Sequence, residues 1–216
     1  MTDVVIHDAR EYLFAIFEVT VVNDAVDLET RRFLGTGFFV TPKGDAITAA
    51  HVLPAPNELG PGRRVVATVV VDGKETIAWI NHFAASHHFD VALIKVNLTK
   101  TKFFDTSDIE INPGTDVNVV GFPSHQVIGR GLEMRVLKGH ATAVMPRLEL
   151  NFPIPAGVSG SPVMVYTTVV GFATGRVRSE EIDEQSEEIA TDGAVRSLAP
   201  TGKRRLFTAH AISSRC

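Results

Sequence analysis

Three short segments carry residue types that together can perform nucleophilic catalysis. Ser159 stands in the segment GVSGSP, His51 ends the segment TAAH, and Asp90 opens the segment DVALI. A serine hydroxyl is a weak nucleophile and needs a general base beside it. Histidine titrates near neutral pH, which suits that task, and a carboxylate can hold the imidazole in one tautomer. The combination therefore predicts a catalytic triad of His51, Asp90 and Ser159.

Glycine before the serine suits this chemistry as well. It allows the backbone N–H groups of Gly157 and Ser159 to point into one concavity, where they could stabilise the oxyanion of a tetrahedral intermediate. Each residue alone also has an ordinary explanation: Ser159 as a turn residue, His51 at the rim of a sheet, and Asp90 at the start of a strand. Catalysis is favoured because all three occur together, in this order along a β-rich chain.

The elements that must position these residues are strands. Helical periodicity is scarce, and short runs of β-branched and aromatic residues alternate with turn residues. The first half of the chain contains six predicted strands, at residues 12–22, 33–41, 45–49, 64–72, 75–81 and 90–96. The second half contains about as many, at residues 116–121, 131–137, 139–145, 147–152, 161–166, 168–174 and 205–212.

Two similar sets of strands predict two small packed β-barrels better than one large sheet. We expect an all-β fold of two antiparallel six-stranded barrels in a single domain over residues 1–216. The first barrel is predicted at about residues 10–103 and the second at about 104–216, with the link near residues 98–106.

Bulk composition excludes several other functional classes. The 21 basic and 25 acidic residues leave a formal net charge of −4, which gives no electrostatic reason to expect nucleic acid as a partner. No uninterrupted apolar stretch reaches the length of a membrane span, and the start of the chain (MTDVVIHDAR) does not resemble a signal peptide. The single cysteine, Cys216, permits no disulfide within the chain, so we expect a reducing, cytoplasmic location.

Two further clusters have simpler explanations than a site. His82, His87 and His88 precede Asp90, but they lack the helical i, i+4 spacing of zinc enzymes, and we expect no metal and no cofactor. Residues 179–193 hold seven acidic and no basic residues. We interpret this stretch as a solvated surface loop rather than a regulatory or partner-binding one.

The segments around the three candidate residues resemble those of trypsin-like serine peptidases, especially bacterial HtrA-type and intracellular ones. The histidine region (GTGFFV followed by ITAAHV), the aspartate segment DVALI and the serine segment GVSGSP carry the resemblance. The resemblance implies a chymotrypsin-like double barrel with the active site in the cleft between barrels. His51 and Asp90 would come from the first barrel and Ser159 from the second.

The resemblance also implies where a substrate would bind. Its specificity pocket would include Pro153, Ile154, Ala173 and Thr174, and substrate backbone would pair with residues 174–176. No carboxylate occurs at the pocket positions, so a small or aliphatic residue is expected before the scissile bond.

The predicted substrate-binding residues are therefore Pro153, Ile154, Ala173, Thr174, Gly175 and Arg176. Val158 precedes the serine where trypsin has the aspartate that receives a new N-terminal ammonium, so we expect no trypsin-style zymogen.

Three functional hypotheses remain open from the sequence. The first is an endopeptidase acting on protein or peptide substrates through an acyl-enzyme. The second is a protease-fold binding module that is latent or does not cut. The third is an esterase or other acyl transferase using the same residues. The chain could also be the regulated effector domain of a larger stress or defence protein, with a regulatory partner or additional domain.

Overall fold

The computed structural model describes residues 9–55, 57–106, 109–124, 132–144 and 147–174, and two short strands at 187–189 and 195–197. Strands dominate these ranges, with three-residue 3₁₀ turns at Ala9–Glu11 and Ala50–Val52. Within the described ranges, no helix is long and apolar enough to cross a membrane.

Six antiparallel strands of the first half close into a barrel. They are β1 (Leu13–Val22), β2 (Ala25–Phe39), β3 (Asp45–Ala49), β4 (Arg63–Val71), β5 (Lys74–Ser86) and β6 (Val91–Val96). The order around the barrel is β1-β2-β3-β6-β5-β4. Aromatic rings fill it: Phe14, Phe38 and Phe39 are each buried to 1% exposure or less, and the ring centroids of Phe14 and Phe39 lie 4.8 Å apart. The predicted first barrel is confirmed.

Strand β2 begins eight residues before its predicted start at residue 33. Its first half pairs with β1 across a two-residue turn, Asn23 and Asp24, whose φ angles of 50° and 60° fit the tight turns that join twisted strands. This hairpin arm is largely exposed and carries charged residues, so it lacks the apolar alternation on which the strand prediction relied. β5 is longer than predicted as well, ending at Ser86.

The second half forms an open antiparallel sheet. Its strands are β7 (Asp116–Gly121), β8 (Arg135–Ala143), β9 (Glu149–Leu150), β10 (Pro162–Val165) and β11 (Thr168–Phe172), in the order β11-β10-β7-β8-β9. The described strands thus make a half-barrel of five strands, and the predicted strand at 205–212 lies outside the described residues. The all-β fold of two antiparallel sheets, consistent with a chymotrypsin-like double barrel, is confirmed.

The prediction of two strands at 131–137 and 139–145 was wrong, because β8 runs unbroken through Gly139. A β-carbon at this glycine would collide with the side chains of Asn151 and Phe152. The glycine therefore permits a close approach within the sheet rather than a break between strands. In the acidic segment 179–193, where a loop was expected, β12 (Glu187–Ile189) forms a short antiparallel ladder with β13 (Val195–Ser197), which lies just beyond that segment.

The link between the halves is bonded to both of them. Phe104 is 4% exposed, and its backbone N–H donates to the carbonyl of Phe39 in β2 at 3.0 Å. The next residue, Asp105, accepts a hydrogen bond from the N–H of Val169 in β11 at 2.8 Å. The link therefore holds the sheets together instead of acting as a free tether.

A buried acid joins three strands of the first barrel. Glu18 in β1 is 4% exposed, and its carboxylate bonds with Arg32 of β2 and Arg63 of β4. The hydrogen bonds from Arg63 and then Arg32 lower the pKa of Glu18, against the opposing effect of burial. The pKa of Glu18 is lower in the folded protein than in the unfolded chain. Its carboxylate therefore stabilises the fold at pH values above the unfolded pKa.

Replacing Glu18 by Gln should lower the free energy of unfolding by about 1–3 kcal/mol at pH 7, the size expected for hydrogen bonds between charged groups. The difference from wild type should shrink as the pH falls below the ordinary carboxyl pKa of 4.5, because the unfolded chain then binds a proton that Glu18 in the folded state accepts only at lower pH. Urea denaturation of both proteins between pH 3 and pH 7, at about one-unit steps, measures the difference in their free energies of unfolding. Glu29→Gln, an exposed carboxyl of the same hairpin, is the control. Equal losses in both variants would contradict the prediction.

Candidate functional site

The ends of two neighbouring strands bring His51 and Asp90 together. β3 and β6 run antiparallel, and their last pair is Ala49 opposite Val91. His51 follows β3 in a 3₁₀ turn, and Asp90 immediately precedes β6. Two side chains separated by 39 positions in sequence therefore lie at one rim of the first barrel because of strand register alone.

The carboxylate of Asp90 holds both the ring and the backbone of His51. His51 Nδ1 lies 2.8 Å from Oδ2 and 3.0 Å from Oδ1, and the His51 backbone N–H donates to Oδ1 at 3.0 Å. The N–H of Ala50 donates to the Asp90 carbonyl, also at 3.0 Å. A carboxylate only accepts, so it favours the tautomer with the proton on Nδ1 and leaves Nε2 as the basic nitrogen.

Asp90 is buried more deeply than His51. The side chain of Asp90 is 10% exposed, whereas that of His51 is 34% exposed. Asp90 also adopts a left-handed backbone conformation, with φ of 55°, which aspartate tolerates better than most residues. Such a conformation persists where surrounding bonds determine it. The carboxylate is thus a fixed, largely desolvated acceptor, and the imidazole keeps access to solvent.

Ser159 lies on a tight turn between β9 and β10. The N–H of Ser161 donates to the carbonyl of Val158 at 3.0 Å, which closes the turn around the serine. The flanking glycines, Gly157 and Gly160, have φ angles of 90° and 84°, in the region that residues with a side chain rarely adopt. Ser159 itself is 7% exposed.

This turn, which we call the serine turn (residues 157–161), packs against the first barrel. The Ser159 carbonyl accepts from the backbone N–H of Thr36 at 2.9 Å, and the Gly157 carbonyl accepts from the Thr36 hydroxyl at 2.9 Å. A β-carbon on Gly160 would collide with the Thr36 carbonyl and lie 3.0 Å from the N–H nitrogen of Ala49. The structure therefore brings the serine turn against the end of β3, two residues before His51.

The predicted oxyanion donors are the amides of Gly157 and Ser159. The carbonyls of these two residues accept hydrogen bonds from Thr36, and the N–H groups of the residues that follow them, Val158 and Gly160, donate to the carbonyls of Pro155 and Ala173. Both predicted donors belong to a backbone whose conformation is set by hydrogen bonds on each side. Ordered N–H groups of this kind are what oxyanion stabilisation requires.

Two of the predicted substrate-binding residues flank the serine turn directly. Ala173 donates its N–H to the Ser161 carbonyl at 2.8 Å and accepts from the Gly160 N–H at 2.7 Å. Thr174 follows it, and both are completely buried. Among the described residues, the hydroxyl oxygens of Thr174 and Ser161 are buried without a hydrogen-bond partner.

The remaining predicted substrate-binding residues differ in their surroundings. Ile154 is buried in the core of the second sheet, whereas Pro153 beside it is exposed. Gly175 and Arg176 lie outside the described residues. Ile154, Ala173 and Thr174 are therefore all buried, and a role of these residues in substrate binding stays a prediction.

Thr36 and Thr48 are contacts of the site that were not predicted from sequence. Thr48 Oγ1 donates to the Thr36 carbonyl at 2.7 Å, and both residues are completely buried. Thr36 stands between two glycines in the segment GTG, a pattern that indicates close backbone approach but not its partner. Across the described ranges, no group of three or more His, Cys, Asp or Glu side chains could hold a metal ion.

Gly160→Ala should lower the free energy of unfolding by about 3 kcal/mol or more, because the new methyl group meets both an unfavourable φ and the Thr36 carbonyl. Gly73→Ala is the matched control, since its φ of 75° is equally unfavourable but nothing lies within 4 Å of the added carbon. In Gly73→Ala, the free energy of unfolding should fall by only about 1–2 kcal/mol. Urea unfolding of both variants gives the comparison, and similar losses would argue against a tight junction at Gly160.

Comparison with known proteins agrees with this architecture. Residues 35–172 match the family model described as trypsin-like peptidase domain, which covers well over half of the chain and includes all three candidate catalytic positions. A search of curated proteins returns no significant match. The chain therefore belongs to the trypsin-like peptidase domain family.

Proposed function

We propose that the protein is a serine endopeptidase that hydrolyses peptide bonds through His51, Asp90 and Ser159. The observation that carries the proposal is the Asp90 carboxylate, which accepts from both Nδ1 and the backbone N–H of His51. This arrangement fixes the imidazole in the tautomer that a general base requires. Membership of the trypsin-like peptidase domain family supports the same chemistry.

In the proposed reaction, His51 Nε2 takes the proton of the Ser159 hydroxyl as its oxygen attacks the scissile carbonyl carbon. The carbonyl oxygen becomes an oxyanion that the N–H groups of Gly157 and Ser159 stabilise. The imidazolium then gives its proton to the leaving amine, the C–N bond breaks, and an ester to Ser159 remains. Water, deprotonated by His51, hydrolyses this ester and regenerates the serine.

The role proposed for Asp90 is electrostatic and orientational. Its largely buried carboxylate faces the imidazole, so it stabilises the imidazolium that forms when the serine loses its proton. Charge interactions of this kind are stronger where water is excluded. The partial exposure of His51 on the other side leaves room for a substrate.

Substrate preference follows from the residues beside the serine turn. Ala173 and Thr174 are small and uncharged, and no carboxylate is among the predicted pocket residues. We therefore propose protein or peptide substrates with a small or aliphatic residue before the scissile bond. With only one cysteine in the chain, we also propose that the protein acts in a reducing compartment such as the cytoplasm.

A fluorophosphonate probe should label the wild type, because an activated serine attacks such probes while ordinary serines do not. Ser159→Ala should abolish labelling. Ser161→Ala is the matched control: its hydroxyl is two residues away and completely buried, so labelling should be retained. Circular dichroism verifies that each variant is folded.

Two outcomes would count against the proposal. If the folded wild type is not labelled even with candidate protein partners present, the protein is a binding module and not a peptidase. If labelling persists in Ser159→Ala, another nucleophile is responsible.

A peptide library varied at the residue before the scissile bond should give the highest kcat/KM for Ala, Val or Leu. One methylene more or less in an apolar pocket changes kcat/KM by about 10- to 200-fold, which is easily measured. Cleavage sites are identified by mass spectrometry. A preference of about tenfold or more for Arg or Glu would show that the pocket contains a charge that the described residues do not supply.

A further inference from the structure

Thr36 is the residue through which the first barrel contacts the serine turn. We propose that it is a positioning residue for catalysis, which holds the serine turn in register with the strand that precedes His51. This inference rests on the proposed function, because it concerns how the nucleophile and its base are aligned. Thr36 is completely buried in β2.

On the side of the second sheet, Thr36 makes three hydrogen bonds. Its backbone N–H donates to the Ser159 carbonyl at 2.9 Å, and its hydroxyl donates to the Gly157 carbonyl at 2.9 Å. The same hydroxyl oxygen accepts from the N–H of Phe122, just beyond β7, at 3.1 Å. The two carbonyls lie on either side of Val158, so Thr36 holds the turn at both ends of the stretch that carries the proposed oxyanion donors.

On the side of the first barrel, Thr36 is tied to the strand that precedes His51. Its carbonyl accepts from the hydroxyl of Thr48 at 2.7 Å. Thr48 lies in β3 opposite Ala92 of β6, in the same ladder whose ends carry His51 and Asp90. A short series of hydrogen bonds thus runs from the serine turn through Thr36 to the elements that carry the base and its carboxylate.

A hydroxyl at this position is needed because it donates and accepts at once. Without it, the Gly157 carbonyl and the Phe122 N–H would each lose a buried partner. Gly157 is free to adopt other backbone conformations, since a glycine has no side chain to prevent them. The Thr36 hydroxyl therefore helps to select one conformation of a turn whose own hydrogen bond, from the Ser161 N–H to the Val158 carbonyl, does not involve the Gly157 carbonyl.

The test uses two substitutions with opposite expectations. Thr36→Val keeps the shape and removes the hydroxyl, and it should lower kcat and the rate constant for fluorophosphonate labelling by about 10- to 100-fold, with KM changed less than about threefold. Thr36→Ser keeps the hydroxyl and should retain the wild-type rates within about threefold. If Thr36→Ser keeps the wild-type rates and Thr36→Val does not, the loss is caused by the missing hydrogen bonds and not by changed packing.

Val19→Ala serves as the control for stability. Val19 is 1% exposed in β1, packs in the core of the first barrel, and does not belong to the site. Loss of its two methyl groups lowers the melting temperature, and its labelling rate should stay within about twofold of wild type. All variants are compared well below their melting temperatures.

Each outcome decides the inference. It is overturned if Thr36→Val labels as fast as wild type, if Thr36→Ser loses as much as Thr36→Val, or if Val19→Ala loses as much at a similar melting temperature. If Thr36→Val does not fold, Thr48→Val removes only the bond to the Thr36 carbonyl, and an unchanged labelling rate there overturns the inference. A wild type that does not label contradicts the proposed function and this inference together, whereas a wild type that labels, with Thr36→Val labelling equally fast, contradicts only this inference.

Discussion

The peptide groups of the serine turn must find partners where the two sheets meet, and the rest of the site depends on how this is achieved. Buried carbonyl and N–H groups are strongly unfavourable unless they are paired. Thr36 pairs two carbonyls of the turn and one amide beyond β7. Gly160 lets the two backbones approach until no side chain fits between them. The junction is therefore set by hydrogen bonding and by close contact at once.

His51 and Asp90 depend on a different constraint, the register of β3 and β6. Their backbones are adjacent because the strands end together, and the carboxylate then binds both the ring and the backbone of the histidine. The rigid first barrel thus supplies the proposed base and its orientation. The serine comes from a turn, whose conformation requires support from outside. Because different contacts position the proposed nucleophile and the proposed base, their alignment depends on how the two sheets pack against each other.

Sequence patterns predicted strands well where one face or both faces are buried, as in β1, β3 and β6. They failed where burial did not determine the pattern. The exposed arm of β2 was missed because charged residues there leave no alternation. A break between strands was predicted at residue 138, just before Gly139, although β8 is continuous there, because a glycine that permits close approach looks the same in sequence as one that permits a turn.

By itself, the sequence determined the all-β class, two sets of strands, and three candidate residues in segments that resemble trypsin-like peptidases. These properties depend on local pattern and composition, which a linear chain displays directly. Only the tertiary structure decided that Asp90 bonds to Nδ1 and to the backbone N–H of His51, and that Thr36 joins the serine turn to the strand before His51. Such contacts link residues up to 121 positions apart, and nothing in the local sequence of either partner names the other.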